Sequence, residues 1–279
     1  MSKAHSGPGS ARPRSIRVLA VATVVATLAL LFGTIGATPA QARTNNRSKA
    51  VLFVHGYNPL SNSTDCGGDF DAMIGQMRSE GFTGSMIKVG YYSGDVNCDV
   101  NLRSYGSFSN SSSWKAIAKA FSTYVYSQFT SRGIAVDVVG YSMGGLIARG
   151  GVYGAQKAES GFSAPIDVED VVTLGTPHNG AAWYSNLCLW GQCTSLKPGA
   201  SDLNWLNGNG NPQGKNGTEF TVMASDGDWV TPTASGLYMS LPATNKVTYS
   251  NVPHTGSSNY MHTAAVVTRA GNALAEVNQ

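Results

Sequence analysis

Apolar residues fall along the chain in two alternating patterns. Short, largely apolar runs stand at 50–54, 86–92, 134–139, 168–174, 218–224 and 246–252. Runs of this length, rich in β-branched residues and followed by glycine or polar turns, predict strands; the unbroken run at 50–54 predicts one buried on both faces, as in a parallel sheet. Segments of helical spacing lie between them. Phe70, Met73, Ile74 and Met77 recur to about Glu80, with Gly81 as the stop. Trp114, Ile117, Ala118, Phe121, Val125 and Phe129 mark one face of a helix capped by Ser112 or Ser113, and Gly133 ends it. Leu146, Ile147 and Val152 continue a helix after Ser142, and His262 opens a last one with Ala265, Val266 and Leu274. Strands alternating with helices predict an α/β domain. The methionines at 73 and 77 fit a core face better than a cofactor box. No tandem repeat and no internal domain boundary is visible.

The first 42 residues follow a different rule. Lys3, Arg12, Arg14 and Arg17 precede an almost wholly apolar stretch from Val18 to Ile35, and Ala40-Gln41-Ala42 follows. A basic region, an apolar core and a small-residue site predict a secretory signal peptide over 1–42, cleaved after Ala42, with Ala40 as second choice. A retained membrane anchor is the alternative, because the apolar stretch approaches spanning length. Without a twin arginine, the general secretory route is expected.

Removing that segment changes the charge. The whole chain carries 19 basic and 16 acidic residues; residues 43–279 keep 15 and 16, a formal net charge of −1. No basic patch of nucleic-acid type survives. The 237 residues suit one full-sized catalytic domain, with no integral membrane segment expected in the mature chain. The four cysteines, Cys66, Cys98, Cys188 and Cys193, all lie in this part. An even count in an exported chain predicts two disulfides. Of three possible pairings, Cys66–Cys98 and Cys188–Cys193 join the nearest partners in sequence. No Cys-x-x-Cys spacing suggests a metal.

The candidate chemistry sits at the ends of the predicted strands. Val136-Asp137-Val138-Val139 leads into Gly140-Tyr141-Ser142-Met143-Gly144. A strand, a sharp Gly-x-Ser-x-Gly turn and a helix make a nucleophile elbow, in which a Cβ at Gly140 or Gly144 would crowd the turn. His55-Gly56-Tyr57 follows the first strand, where a glycine turn brings backbone N–H groups close to a ligand. The N–H groups of Tyr57 and Met143 are the candidate oxyanion donors. His55 itself reads as a structural, hydrogen-bonding histidine. Gly175-Thr176-Pro177-His178-Asn179-Gly180 fixes another strand-end loop, and His178 is a possible lining residue. Two acids compete in the turn Ser225-Asp226-Gly227-Asp228. Asp228 is preferred, because Val230 and Pro232 can stiffen the backbone behind it, and Asp226 stays open. His254 follows the last strand in a loop, as a general base requires; His262 is its rival. Residues 181–217 form a long polar excursion in which Trp183, Leu187, Leu189, Trp190, Trp205 and Leu206 either wall an acyl groove or simply pack.

Together, Val54-His55-Gly56, Gly140-Tyr141-Ser142-Met143-Gly144-Gly145, Val172-Thr173-Leu174-Gly175-Thr176-Pro177-His178-Asn179-Gly180, Asp228-Trp229-Val230-Thr231-Pro232 and Val252-Pro253-His254 resemble the secreted bacterial lipases and esterases of the α/β-hydrolase superfamily. The resemblance spans about residues 50–262. It implies a mostly parallel central sheet with helices on both faces, a three-layer α/β/α sandwich. It also implies Ser142 as nucleophile, Asp228 as acid and His254 as base, acting on carboxylic esters of short to medium chain, acylglycerols included. Neither a metal nor an organic cofactor is needed. The expected partner is a small-molecule or lipid-interface ester, not a nucleic acid, and a monomer is expected. The family often has His-Ser-Met-Gly-Gly at the elbow, where this chain has Tyr141. Two other functions use the same residues: an acyltransferase or peptidase with this triad, and a non-catalytic binding module on the same scaffold.

Overall fold

The computed structural model describes residues 46–182 and 191–275; the predicted signal peptide lies outside them. Seven strands form one sheet: β1 (Ala50–Val54), β2 (Met86–Gly90), β3 (Val100–Asn101), β4 (Val136–Tyr141), β5 (Val168–Leu174), β6 (Glu219–Ser225) and β7 (Lys246–Tyr249). Their order is β3-β2-β1-β4-β5-β6-β7, and every neighbouring pair is parallel. Parallel neighbours need long crossovers, and helices supply them. The helices are α1 (Cys66–Ser79), α2 (Trp114–Gln128), α3 (Met143–Gln156), α4 (Gly191–Thr194), α5 (Ser201–Leu206), α6 (Thr233–Gly236) and α7 (Ala264–Ala275). None of the described helices is long and apolar enough to cross a membrane.

The apolar runs read as they do because both sheet faces are covered. Leu52, Val54, Val136, Val138, Val171 and Val222 pack with α2 and α3. Val51, Phe53, Val139, Val172, Leu174 and Met223 alternate with them and pack with α1 and α7 on the other face. Phe70, in contact with Phe53 at 5.4 Å between ring centroids, anchors that second layer. Truncating so large a buried side chain to alanine costs about 3–5 kcal/mol. The result is the three-layer α/β/α sandwich of the α/β-hydrolase fold.

Asp137, the polar interruption in β4, is fully buried. Lys49 Nζ reaches it at 2.9 Å and also holds Glu169 at 3.0 Å and Asp170 at 3.4 Å. Burial, with Glu169 nearby, pushes the Asp137 carboxyl up to about 7 against the pull of Lys49. One ammonium thus offsets several carboxylates at the foot of the sheet.

Several element ends differ from the sequence expectation. Helix α1 starts at Cys66 rather than near Phe70, because the Asp65 side chain accepts the N–H of Gly67 and caps it. Two glycines in its first turn hide that start from an apolar pattern. β2 ends at Gly90, where the backbone N–H groups of Tyr91 and Tyr92 turn to the Asp95 carboxylate. β4 starts at Val136, with Ile134 left exposed. β6 runs one residue later than expected at each end, and β7 stops at Tyr249 rather than Val252. The polar stretch 93–112 contains β3, too short to show a period. His262 closes a separate short turn, and α7 begins only at Ala264.

Residues 181–217 hold α4 and α5, which the polar composition did not announce. Trp205 packs on Tyr153, Phe162 and Trp114, with Lys115 Nζ 3.9 Å from its ring centroid. Leu206 is fully buried in the core. Both therefore belong to packing and not to a groove. Trp183, Leu187, Leu189 and Trp190 lie outside the described residues. The Cys66–Cys98 disulfide is present, with 5.1 Å between Cα atoms, and ties the first turn of α1 to the segment before β3. Cys188, and with it the Cys188–Cys193 expectation, lies outside the described residues.

Candidate active site

The elbow is built by close backbone approach. A Cβ on Gly144 would lie 2.0 Å from Val54 O, and one on Gly140 would lie 2.5 Å from Gly145 Cα. Glycine at both places lets α3 spring directly from β4 over the end of β1. Ser142 then takes φ 53° and ψ −125°, a strained conformation for a residue with a side chain. Its N–H is fixed on Leu174 O at 2.8 Å.

Ser142 Oγ lies 2.9 Å from His254 Nε2, and His254 Nδ1 lies 2.8 Å from Asp228 Oδ2. The three residues follow β4, β7 and β6, so the C-terminal edge of the sheet brings them together, as in other open α/β folds. All three are largely buried. This is the arrangement of a Ser-His-Asp triad in serine hydrolases.

Asp228 is held by four donors. Its Oδ1 accepts the N–H groups of Val230 and Thr231, both at 2.8 Å. Its Oδ2 accepts from His254 and from the Tyr260 hydroxyl at 2.9 Å. The stiffness behind Asp228 therefore comes from its own carboxylate, which closes the turn, rather than from Val230 and Pro232 packing. Asp226 is exposed, and its carboxylate accepts the N–H of Asn251 at 2.9 Å. It fastens the loop that leads from β7 to His254 without touching the imidazole.

Tyr141 lies beside His254. Its hydroxyl donates to the His254 carbonyl oxygen, and its ring centroid is 5.2 Å from the imidazole. Sequence reasoning noted the unusual tyrosine but not this bond; Tyr260 gave no signal at all, standing in a polar turn 32 residues beyond Asp228. The rival histidines sit elsewhere. His178 is fully buried with Nε2 3.1 Å from Thr173 Oγ1, and burial, helped by Arg149, holds its pKa well below the usual range. It backs the loop, while Pro177 faces the cavity. His262 Nδ1 is 2.9 Å from Asn259 Oδ1.

A cavity of about 330 Å³ opens on Ser142 and His254, lined by Tyr57, Pro59, Pro177, Leu196, Trp229 and Val230 among others. Its wall is mainly apolar, with Ser142, His254 and Thr255 among its polar members. Ala181, Cys193 and Leu196 are the contribution of the 181–217 segment.

Solved structures share this fold at low identity. Phospholipase PlaB from Legionella pneumophila, solved in complex with thio-NAD, superposes with a TM-score of 0.57 at 15% identity over 81% of this chain and 58% of that one. The chain thus spans little more than half of PlaB. The mature form of Bacillus licheniformis lipase BlEst2 gives a TM-score of 0.55 at 15% identity over 85% of this chain and 95% of that one. Aspergillus fumigatus lipase B gives 0.54 at 13% identity over 84% and 54%. At such identities the likeness is one of fold. No curated protein matches the chain in sequence. Residues 46–189, from before β1 to beyond the elbow serine, match the PGAP1-like alpha/beta domain, and the chain belongs to that family.

Proposed function

We propose that the chain is a secreted serine carboxylic ester hydrolase. In this reading it cleaves short- to medium-chain acyl esters, acylglycerols among them. The observation that carries it is the continuous hydrogen-bonded path from Ser142 through His254 to Asp228, opening on an apolar cavity. Two of the proteins with the same fold are lipases and a third is a phospholipase. The signal-like residues 1–42 support export, and a monomeric mature chain of 43–279 is part of the same reading.

The chemistry runs through named atoms. His254 Nε2 takes the Ser142 proton as Oγ attacks the ester carbonyl carbon. The carbonyl oxygen becomes an oxyanion held by the N–H groups of Tyr57 and Met143; the latter belongs to the first turn of α3, whose N–H groups lack intrahelical partners. The imidazolium, oriented and stabilised by Asp228, protonates the leaving alcohol. Water then attacks the acyl-enzyme with His254 again as base, releasing the acid and restoring Ser142. The cavity size lies near the lower end of small-ligand sites, about 300–1,000 Å³, which favours shorter acyl chains.

A series of p-nitrophenyl esters below their micellar concentrations tests this. Each methylene buried in the cavity adds about 0.8 kcal/mol, so kcat/KM rises roughly fourfold per CH₂ and then falls once the cavity is full. Ser142→Ala loses nearly all turnover while remaining folded. A flat profile would remove the acyl-cavity assignment, and rapid amide cleavage without ester cleavage would remove the esterase reading.

A further inference from the structure

The peptide unit between Gly56 and Tyr57 carries groups at both ends. Its N–H, on Tyr57, is one of the two donors assigned above to the oxyanion. Its C=O, on Gly56, accepts two hydrogen bonds, from Tyr91 Oη at 2.6 Å and from His55 Nδ1 at 2.8 Å. This peptide stands against the nucleophile: a Cβ on Gly56 would lie 2.9 Å from Ser142 Cβ.

The state of His55 follows from its partners. Its Nε2 lies 3.0 Å from Asp95 Oδ2. That same oxygen accepts the N–H groups of Tyr91 at 2.6 Å and Tyr92 at 2.7 Å, while Oδ1 accepts that of Thr64 at 2.7 Å. A carboxyl ringed by donors is a carboxylate. Burial alone would raise its pKa, but the His55 and backbone bonds bring it below the usual value. His55 therefore faces a carbonyl oxygen on one side and a carboxylate on the other. Each ring nitrogen thus stands opposite an acceptor, and the ring is held from both sides. Tyr91 stacks on the buried ring with centroids 4.0 Å apart, and Tyr92 lies at 5.5 Å.

We propose that His55, anchored by Asp95, and Tyr91 are positioning residues for the oxyanion. By donating to the Gly56 carbonyl they fix the plane of the Gly56–Tyr57 peptide and polarise its N–H toward Ser142. The two ends of a trans peptide are rigidly coupled, so a bond that holds the C=O also aims the N–H. Hydrogen bonds in series strengthen one another at low dielectric, and one of these is charge-assisted. A preorganised donor of this kind acts on the transition state and not on the bound ester. The inference rests on the hydrolase reading and on Tyr57 as an oxyanion donor.

The test uses Tyr91→Phe, which keeps the stacked ring and removes one donor, and Asp95→Asn, which removes the carboxylate that anchors His55. For each variant, kcat and KM for p-nitrophenyl butyrate, the inhibition constant of an alkyl trifluoromethyl ketone, and Tm are measured. The ketone adds to Ser142 and places a true oxyanion in the site. Tyr91→Phe is expected to lower kcat about 5- to 10-fold, the size of one lost hydrogen bond, with KM within about twofold. The inhibition constant should rise by the same factor, and Asp95→Asn should do more on both scales. A folded Tyr91→Phe enzyme with unchanged kcat and unchanged inhibition constant would overturn the proposal. So would losses of kcat that match the unfolded fraction read from Tm. If Asp95→Asn does not fold, Tyr91→Phe decides alone. Where Ser142→Ala abolishes turnover but these variants behave as wild type, only this inference fails; where Ser142→Ala is active, the hydrolase reading fails first.

Discussion

Tyr260 Oη lies 2.9 Å from Asp228 Oδ2, the oxygen that also receives His254 Nδ1. Burial, and then the Asp228 charge, raise the Tyr260 phenol far above its ordinary pKa, so the hydroxyl keeps its proton and donates it to Asp228. With Oδ1 taken by two backbone N–H groups, the carboxylate has no free rotation left. Tyr260 thus completes the orientation of the imidazole from behind.

Tyr260→Phe should lower kcat about 5- to 10-fold, as expected for one bond to a charged group, with KM nearly unchanged. A folded variant with wild-type kcat would leave Tyr260 as packing only.

Asp228→Asn keeps the shape and reverses the tautomer preference of His254. Turnover should fall by about 10⁴, the size seen for such a change in a serine protease. Asp226→Asn keeps an amide oxygen able to accept the Asn251 N–H and loses only the charge, so it should cost less than about tenfold, through the loop that presents His254. Steady-state kinetics on both variants will rank the acids, and a larger loss at Asp226 would refute the assignment.

The Cys66–Cys98 bridge closes a segment of 32 residues. Loop-closure entropy assigns such a bridge about 3–4 kcal/mol. The Cys66→Ser/Cys98→Ser double variant should lose about 10 °C in Tm, given roughly 2–4 °C per kcal/mol at this size. Calorimetry of the two proteins, without reductant, measures it. The triad distances lie on other loops, so kcat of the folded variant should stay within about twofold of wild type.

His178 supplies a pH dependence of known sign. Its folded-state pKa is depressed by burial and then by Arg149, below the ordinary value of 6.5. The unfolded chain therefore binds the proton first as pH falls. The contribution is fully present above about pH 6.5 and is lost below it, by at most about 1.4 kcal/mol per pH unit. Tm should fall on acidification, and His178→Gln should flatten that limb below about pH 6.5. An unaltered slope in the variant would place the acid sensitivity elsewhere.

What the sequence determined by itself is the framework. A strand buried on both faces must be apolar throughout, so β1, β4 and β5 are legible as runs. An amphipathic helix must repeat its buried side, so α2 is legible as a face beginning at Trp114. The elbow is legible because only glycine fits where Gly140 and Gly144 approach other backbone. Ser142 and His254 are legible because each stands just past a strand end. What only the tertiary structure decided is which polar groups meet. The choice between Asp226 and Asp228 turns on a rotation within one three-residue turn, and both positions have the same composition around them. Tyr260 and Asp228 are 32 residues apart, as are Cys66 and Cys98, and no period links such partners. Trp205 and Leu206 looked equally suited to a groove or to packing, because an apolar side chain carries no record of which surface buries it. Hydrophobic periodicity reports burial one element at a time; hydrogen bonds between loops depend on how the crossovers converge at the sheet edge, and that is set by the assembled core.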